Sequence, residues 1–312
     1  MRMPLFNLFD MADRQSLFET MNALGPRRAW QIIGELAQVD EPLFAAGLPA
    51  GSDYPSISAR AAGFMRLAPR VPPSEVDSLA QRFASYGYRL QVECAFMSFF
   101  WADAATIFGD VVEVVGQEHL RAALQPGHGV LALPLHVGPS YAAPAIMAHH
   151  VLTTAVYNHL NFDPLRQATC PQLPIEGFGL ETGDTLRRGI AAMRDGRAFA
   201  IYPELDPRGV DHHHERVSFL GTTVVAPVGP VIMSRMSKAP MLPVILTATG
   251  DGTFRLTYHE PLPAPAVRDD VHGSLVELWA VIEREVMAAG IADWEMWLEF
   301  DRMLPESVAG HV

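Results

Sequence analysis

The chain has 312 residues, of which 49% are hydrophobic and 19% charged, and its formal net charge is −12. This composition excludes a disordered protein, and the acidic balance argues against nucleic acid as a partner. No apolar run reaches the length of about 18 residues that a membrane span needs, so we expect no integral membrane contact. Two distant cysteines, Cys94 and Cys170, are typical of a reducing compartment, and the sequence predicts a soluble, cytoplasmic protein.

Composition divides the chain into three parts. Residues 1–73 show apolar residues at helical spacing and then a bridge rich in proline and glycine, with one short helix at 59–67, which predicts an N-terminal helical extension. Residues 74–303 form the expected α/β domain, and residues 304–312 a flexible tail. Ser74 with Asp77 predicts a helix cap at the start of the α/β domain.

The first segment of that domain, Phe83–Trp101, is dense in apolar and aromatic residues. This density predicts one or two buried helices. Two interpretations stay open: the aromatic residues form core against a sheet, or they line a groove for an acyl chain.

Strands and helices alternate over the rest of the chain. Strands are predicted at 111–115, 130–135, 151–157, 173–176, 197–202, 241–247 and 253–258. The pattern predicts an α/β fold with a mostly parallel central sheet flanked by helices, and the final hairpin adds an antiparallel edge. Neither a glycine-rich nucleotide fingerprint nor a G-x-S-x-G elbow follows any strand, so nucleotide-binding and serine-hydrolase versions of the fold lack support.

His136 follows the apolar run Val130–Leu135 and precedes a Gly-Pro-Ser loop and a predicted helix from Tyr141. It therefore lies at the carboxyl edge of the predicted sheet, where α/β proteins place their chemistry. A histidine exposed in this way can remove a proton from a hydroxyl or an amine. A purely structural histidine is the alternative.

A second informative stretch begins where the strand 197–202 ends. Residues 203–221 are predicted to form a long polar loop of the kind that carries function, followed by an apolar helix at 227–236. The loop contains Asp211, three histidines and Glu215. Adjacent histidines point in diverging directions, so we expect no metal site there.

Four blocks, in this order and spacing, resemble the lysophospholipid acyltransferase superfamily, with the lipid A biosynthesis lauroyl/myristoyl acyltransferases as the most similar branch. The resemblance spans Gln81 to Met303. The blocks are GHGVLALPLHVG, GRAFAIYPELDPRG, VSFLGTTVVAPVGPVIMSRMSKAPMLPVIL and WEMWLEFDRM.

The resemblance implies that His136 is a general base. The family has an acidic residue five positions after this histidine, whereas Tyr141 stands there in this chain. A carboxylate partner orients the imidazole, and its loss in serine proteases costs about 10⁴-fold in rate. Either Glu204 or Asp206 supplies the carboxylate, or Tyr141 has been recruited to a changed chemistry.

The same resemblance implies the residues that contact the substrate. Glu204 and Arg208 resemble the acceptor-binding Pro-Glu-Gly-x-Arg block of the glycerolipid members. Asn158 and Arg166 fall where the family has a further substrate-contacting segment. Ordinary ion pairing within a loop is the alternative for Glu204 and Arg208.

We therefore expect an acyltransferase that moves an acyl or aminoacyl group from a thioester to an amine or hydroxyl acceptor, in specialised-metabolite biosynthesis. The donor is a coenzyme A thioester, or a phosphopantetheine thioester on an acyl or peptidyl carrier protein. The acceptor is a small molecule, and no cofactor is bound. Two alternatives remain: a catalytically degenerate binding protein, favoured by Tyr141, and a thioester hydrolase or cyclase that uses the same base.

Overall fold

The structure, a computed structural model, describes residues 14–45, 54–125, 127–157, 172–179, 183–204 and 213–305. The helices Arg14–Leu24, Pro26–Ala45 and Tyr54–Met65 precede the long helix Val76–Phe100. The predicted helical character of the N-terminal part is confirmed. The boundaries of the three parts, at residues 73 and 303, stay predictions.

Nine strands lie within the described residues. They are β1 Val112–Val115, β2 Val130–Pro134, β3 Thr153–Tyr157, β4 Ile175–Gly179, β5 Ala198–Ala200, β6 His214–Phe219, β7 Thr222–Pro227, β8 Met241–Gly250 and β9 Thr253–Tyr258. Seven of them form one sheet in the order β1-β9-β8-β2-β5-β3-β4. β9 is antiparallel to β8 and parallel to β1, and all other pairs are parallel. The predicted mostly parallel sheet with an antiparallel edge is confirmed, and the edge contains two strands.

Helices connect these strands and cover the sheet. The longer ones are Gln117–Leu124, Thr185–Arg194, Gly229–Ser237 and Val271–Ala289, and the shorter ones are Ala104–Thr106, Ala143–Met147 and Phe300–Met303. A π-helical turn spans Ile107–Val111, and 3₁₀ turns span Ser140–Ala142, Arg268–Asp270, Ile291–Asp293 and Glu295–Glu299. None of the described helices combines the length and the apolar character that crossing a bilayer requires.

β2 is buried on both faces. Leu131 and Leu133 pack into one hydrophobic cluster, whereas Val130 and Ala132 pack into a second cluster on the other face. Alternate residues of a strand point to opposite faces, so an uninterrupted apolar run fits a central strand covered on both sides. The residue that follows this run therefore emerges at the middle of the sheet edge.

The long helix Val76–Phe100 contributes to both clusters. Phe83 and Tyr86 belong to the first cluster, and Phe96 and Phe100 to the second. These side chains are at most 6% exposed. The core interpretation of the aromatic segment is therefore confirmed for them.

The predicted loop over 203–221 is wrong in its second half. β6 and β7 form a separate antiparallel hairpin, joined at Leu220 and Gly221, which both have positive φ. Val217 and Phe219 are two residues apart in β6, so both lie on one face of the strand, and both are buried. The Phe219 ring packs on Trp279 with centroids 5.3 Å apart. Burial of these two apolar side chains outweighs the polar character of the stretch, and the helix predicted from residue 227 begins only at Gly229.

The helix cap predicted from Ser74 and Asp77 is also wrong. The helix begins at Val76 with Glu75 as its N-cap residue, and Glu75 makes no side-chain capping bond. Asp77 instead accepts a hydrogen bond of 2.7 Å from Arg66. The ion pair with Arg66, which directly follows the helix Tyr54–Met65, takes the carboxylate that a capping box would use.

Candidate active site

His136 lies just beyond the carboxyl end of β2, in a loop held by backbone contacts. Its carbonyl accepts a hydrogen bond of 2.9 Å from the Glu295 amide, and Val137 pairs with Trp294. Gly138 has a φ of 67°, and a Cβ there would lie 2.0 Å from the Leu246 carbonyl oxygen. Only glycine fits both the backbone angle and this close approach, so Gly138 fixes the turn that presents the imidazole.

Glu204 is the carboxylate partner of His136. It follows β5, which is parallel to and paired with β2, and strands paired in this way end at the same edge of a sheet. Its Oε2 lies 2.9 Å from His136 Nδ1, and its Oε1 accepts from the His136 amide at 2.8 Å. The Trp294 indole donates to Oε1 at 3.4 Å. The contact between His136 and Glu204 that the sequence predicted is present, while their catalytic roles stay predictions.

This contact sets the protonation of the imidazole. An ionised carboxylate only accepts, so Nδ1 carries the proton and Nε2 has the free lone pair. No described residue forms a hydrogen bond with Nε2, and the side chain is 15% exposed. Burial alone lowers the pKa of His136, but the charge and hydrogen bond of Glu204, with the charge of Glu295, outweigh it and raise that pKa above 6.5.

Tyr141 contacts a second carboxylate, Glu295. The Tyr141 hydroxyl donates to Glu295 Oε2 at 3.0 Å, and the Ser140 hydroxyl donates to Oε1 at 3.4 Å. Burial raises the pKa of Glu295, and the charge of His136 and the hydrogen bond from Tyr141 offset only part of this effect. Glu295 was missed by the sequence analysis. An ionisable residue between Trp294 and Trp297 is the signal that could have identified it.

Two further tyrosines hold the loop after His136. The Tyr86 hydroxyl donates to the Gly138 carbonyl and the Tyr202 hydroxyl to the Ser140 carbonyl, each at 3.0 Å. The Tyr202 ring lies against the imidazole, with centroids 4.3 Å apart. Burial raises the pKa of both phenols. They therefore stay neutral donors that fix the loop and one face of the imidazole.

Four predicted site residues, Asp206, Arg208, Asn158 and Arg166, lie outside the described residues, and their roles stay predictions. Within the part of the chain that the structure describes, no group of three metal-binding side chains occurs.

His214 and Glu215 belong to β6, where Glu215 contacts His272 Nδ1 at 2.5 Å.

Burial raises the pKa of the Cys94 thiol. Such a thiol is not activated as a nucleophile.

Comparison with known proteins agrees with the resemblance inferred from the four sequence blocks. Residues 75–300 match the bacterial lipid A biosynthesis acyltransferase family. The 1-acyl-sn-glycerophosphate acyltransferase PlsC of Thermotoga maritima is similar over 80% of this chain and 98% of its own, with 14% identity and a TM-score of 0.38. No curated protein matches significantly. The family match covers most of the chain, which therefore belongs to the bacterial lipid A biosynthesis acyltransferase family.

Proposed function

We propose that this acyltransferase moves an acyl or aminoacyl group from a thioester to the amine or hydroxyl of a small-molecule acceptor. The donor is a thioester of coenzyme A, or a thioester of the phosphopantetheine on an acyl or peptidyl carrier protein. The reaction belongs to specialised-metabolite biosynthesis. The observation that carries the proposal is the pair of His136 and Glu204 at the carboxyl edge of the sheet. The proposed location is the cytoplasm, on the basis of cysteine usage.

In this mechanism His136 Nε2 removes the proton from the acceptor while the acceptor's nitrogen or oxygen attacks the thioester carbonyl. The resulting imidazolium is stabilised by Glu204, which contacts Nδ1 at 2.9 Å. When the tetrahedral intermediate collapses, the carbon–sulfur bond breaks and the imidazolium protonates the departing thiolate. Backbone amides or Arg208 stabilise the oxyanion.

The substitution at Tyr141 favours a second candidate function, a protein that binds an acyl chain or a partner without turnover. The contact between His136 and Glu204 supports the first candidate, because it supplies the carboxylate whose family position Tyr141 occupies. Water in place of the acceptor would make the same base a hydrolase. The products of turnover distinguish these functions.

The test is His136→Ala in the full chain, with decanoyl-CoA as donor and hexylamine and hexan-1-ol as acceptors. Thiol release and mass spectrometry of the products should show a loss of about 10²-fold or more, the usual contribution of a general base. His272→Ala is the matched control, because that histidine also contacts a glutamate but lies exposed on the surface.

A His136→Ala protein with undiminished turnover would exclude this mechanism. Decanoic acid as the sole product would support the hydrolase. A wild type that is inert toward decanoyl-CoA and decanoyl-phosphopantetheine would favour the binding protein.

A further inference from the structure

The site holds a second carboxylate that the proposed mechanism does not use. Glu295 accepts hydrogen bonds from the neutral hydroxyls of Tyr141 and Ser140. Among the described residues, no lysine or arginine forms an ion pair with it, and His136 supplies the positive charge that acts on it. His136 is already paired with Glu204. Within the described part of the chain, the carboxylate of Glu295 therefore has no cationic partner of its own.

Among the described residues of the site, the ionisable carboxylates outnumber the cations, and this bears on the substrate. When both are ionised, Glu204 and Glu295 contribute two negative charges, whereas a protonated His136 contributes one positive charge. Burial raises the pKa of Glu295, and a bound cation would favour its ionised form. A surplus negative charge opposes an oxyanion at the same site, because the two repel in a medium of low polarity. A neutral alcohol would leave this surplus in place, while a cationic acceptor would neutralise it.

The aromatic surroundings of Glu295 suit a cation. The rings of Tyr141 and Tyr202 have centroids 6.1 Å apart at an interplanar angle of 45°. The face of a tyrosine ring attracts an ammonium ion. Tyr141 is 45% exposed, so a ligand can reach its ring from solvent.

We propose that Glu295, with the rings of Tyr141 and Tyr202, binds the acceptor as a primary ammonium ion, so that the acceptor is an amine. This inference rests on the proposed acyl transfer and narrows its acceptor class. Glu295 is then a residue that determines acceptor specificity. Tyr141, at the position of the family's acidic residue, orients the Glu295 carboxylate.

Amide formation from an ammonium ion removes two protons from the nitrogen, and Glu295 and His136 each accept one of them. An ammonium ion must lose one proton to become a nucleophile, and this proton passes to Glu295. As the amine nitrogen attacks the thioester carbonyl, the second proton passes to His136 Nε2 and then to the departing thiolate. The amide and the free thiol form, and Glu295 returns its proton to solvent. An alcohol has a single proton to transfer and needs only His136.

The experiment measures binding of two probes of equal length, hexylammonium and hexan-1-ol, to the full chain by ligand-observed nuclear magnetic resonance. Wild type should bind hexylammonium about tenfold or more tightly than hexan-1-ol, the effect expected of one charge-assisted contact. Glu295→Gln should abolish this preference. The substitution preserves size and still accepts the Tyr141 hydroxyl, so the fold should persist, and circular dichroism checks this.

Glu299→Gln is the matched control, because Glu299 lies in the same 3₁₀ turn but is paired with Arg302 at 2.8 Å. It should keep the preference. Absent or equal binding of the two probes by wild type, or an unchanged preference in Glu295→Gln, would overturn the inference. Decanoyl-CoA turnover is measured separately in the same preparations. Suppose that the wild type does not turn over decanoyl-CoA but still binds hexylammonium more tightly than hexan-1-ol, and that this preference depends on Glu295. This result would refute the transfer reaction and still support the ammonium site.

Discussion

The substitution Glu204→Gln tests how much the Glu204 carboxylate contributes to turnover through the proposed base, His136. Glutamine keeps the shape, and its carbonyl oxygen can still accept from the His136 amide and the Trp294 indole, which now bind Oε1 at 2.8 and 3.4 Å. Its amide nitrogen then faces His136 Nδ1 and can only donate. Nδ1 must therefore become the acceptor, which places the proton on Nε2, where the base needs a lone pair.

The magnitude follows from the bonds that are lost. The contact of 2.9 Å between Nδ1 and Oε2 is charge-assisted once the imidazole is protonated, and such a bond contributes about 1.5–3 kcal/mol. This corresponds to about 10- to 10²-fold in rate. The unfavourable tautomer adds to this loss, so we expect turnover to fall by about 10²- to 10⁴-fold.

The assay is thiol release from decanoyl-CoA as a function of pH. Wild-type activity should rise with pH through the pKa of His136, which lies above 6.5 because Glu204 stabilises the imidazolium. In Glu204→Gln this pKa falls, so the remaining activity should rise at a lower pH.

Glu215→Gln removes a carboxylate from the exposed His272 and serves as the control, with activity and pH profile unchanged. A Glu204→Gln protein that keeps wild-type turnover, or the wild-type pH profile, would refute the assignment of Glu204 as the orienting residue.

Three further changes test the loop after His136 and the hydrophobic core. Tyr141→Glu should abolish turnover and destabilise the protein by about 1–3 kcal/mol in urea unfolding, because it sets a second carboxylate against Glu295; higher activity would show instead that this contact is dispensable. Gly138→Ala should cost about 3 kcal/mol or more of unfolding free energy, since the new Cβ would meet the Leu246 carbonyl at 2.0 Å; a protein of wild-type stability would contradict the rigid turn. Phe100→Glu, at a side chain that is 1% exposed, should lower stability by about 4 kcal/mol or more; a folded variant that lost only long-chain donors would favour the acyl-groove interpretation.

The sequence by itself determined the fold class, the place of His136 and the family. An apolar run such as Val130–Leu135 can be buried on both faces only in the middle of a sheet, so the polar residue that follows it emerges at the sheet edge. The same local logic places Glu204 beyond the neighbouring strand β5. These inferences need only residues that are close in the chain and the rule that parallel strands end together.

The tertiary structure alone decided that Glu295 meets Tyr141. Glu295 lies 154 residues after Tyr141 in the chain, and no periodicity links the two. They meet because Trp294 is buried against Phe219 of the β6–β7 hairpin, with ring centroids 4.9 Å apart, and this packing carries the adjacent residue under the loop after His136. The hydrophobic effect favours burial of large aromatic side chains but does not specify which distant residues they pack against. The contact of a polar residue beside them is therefore decided only when the core assembles.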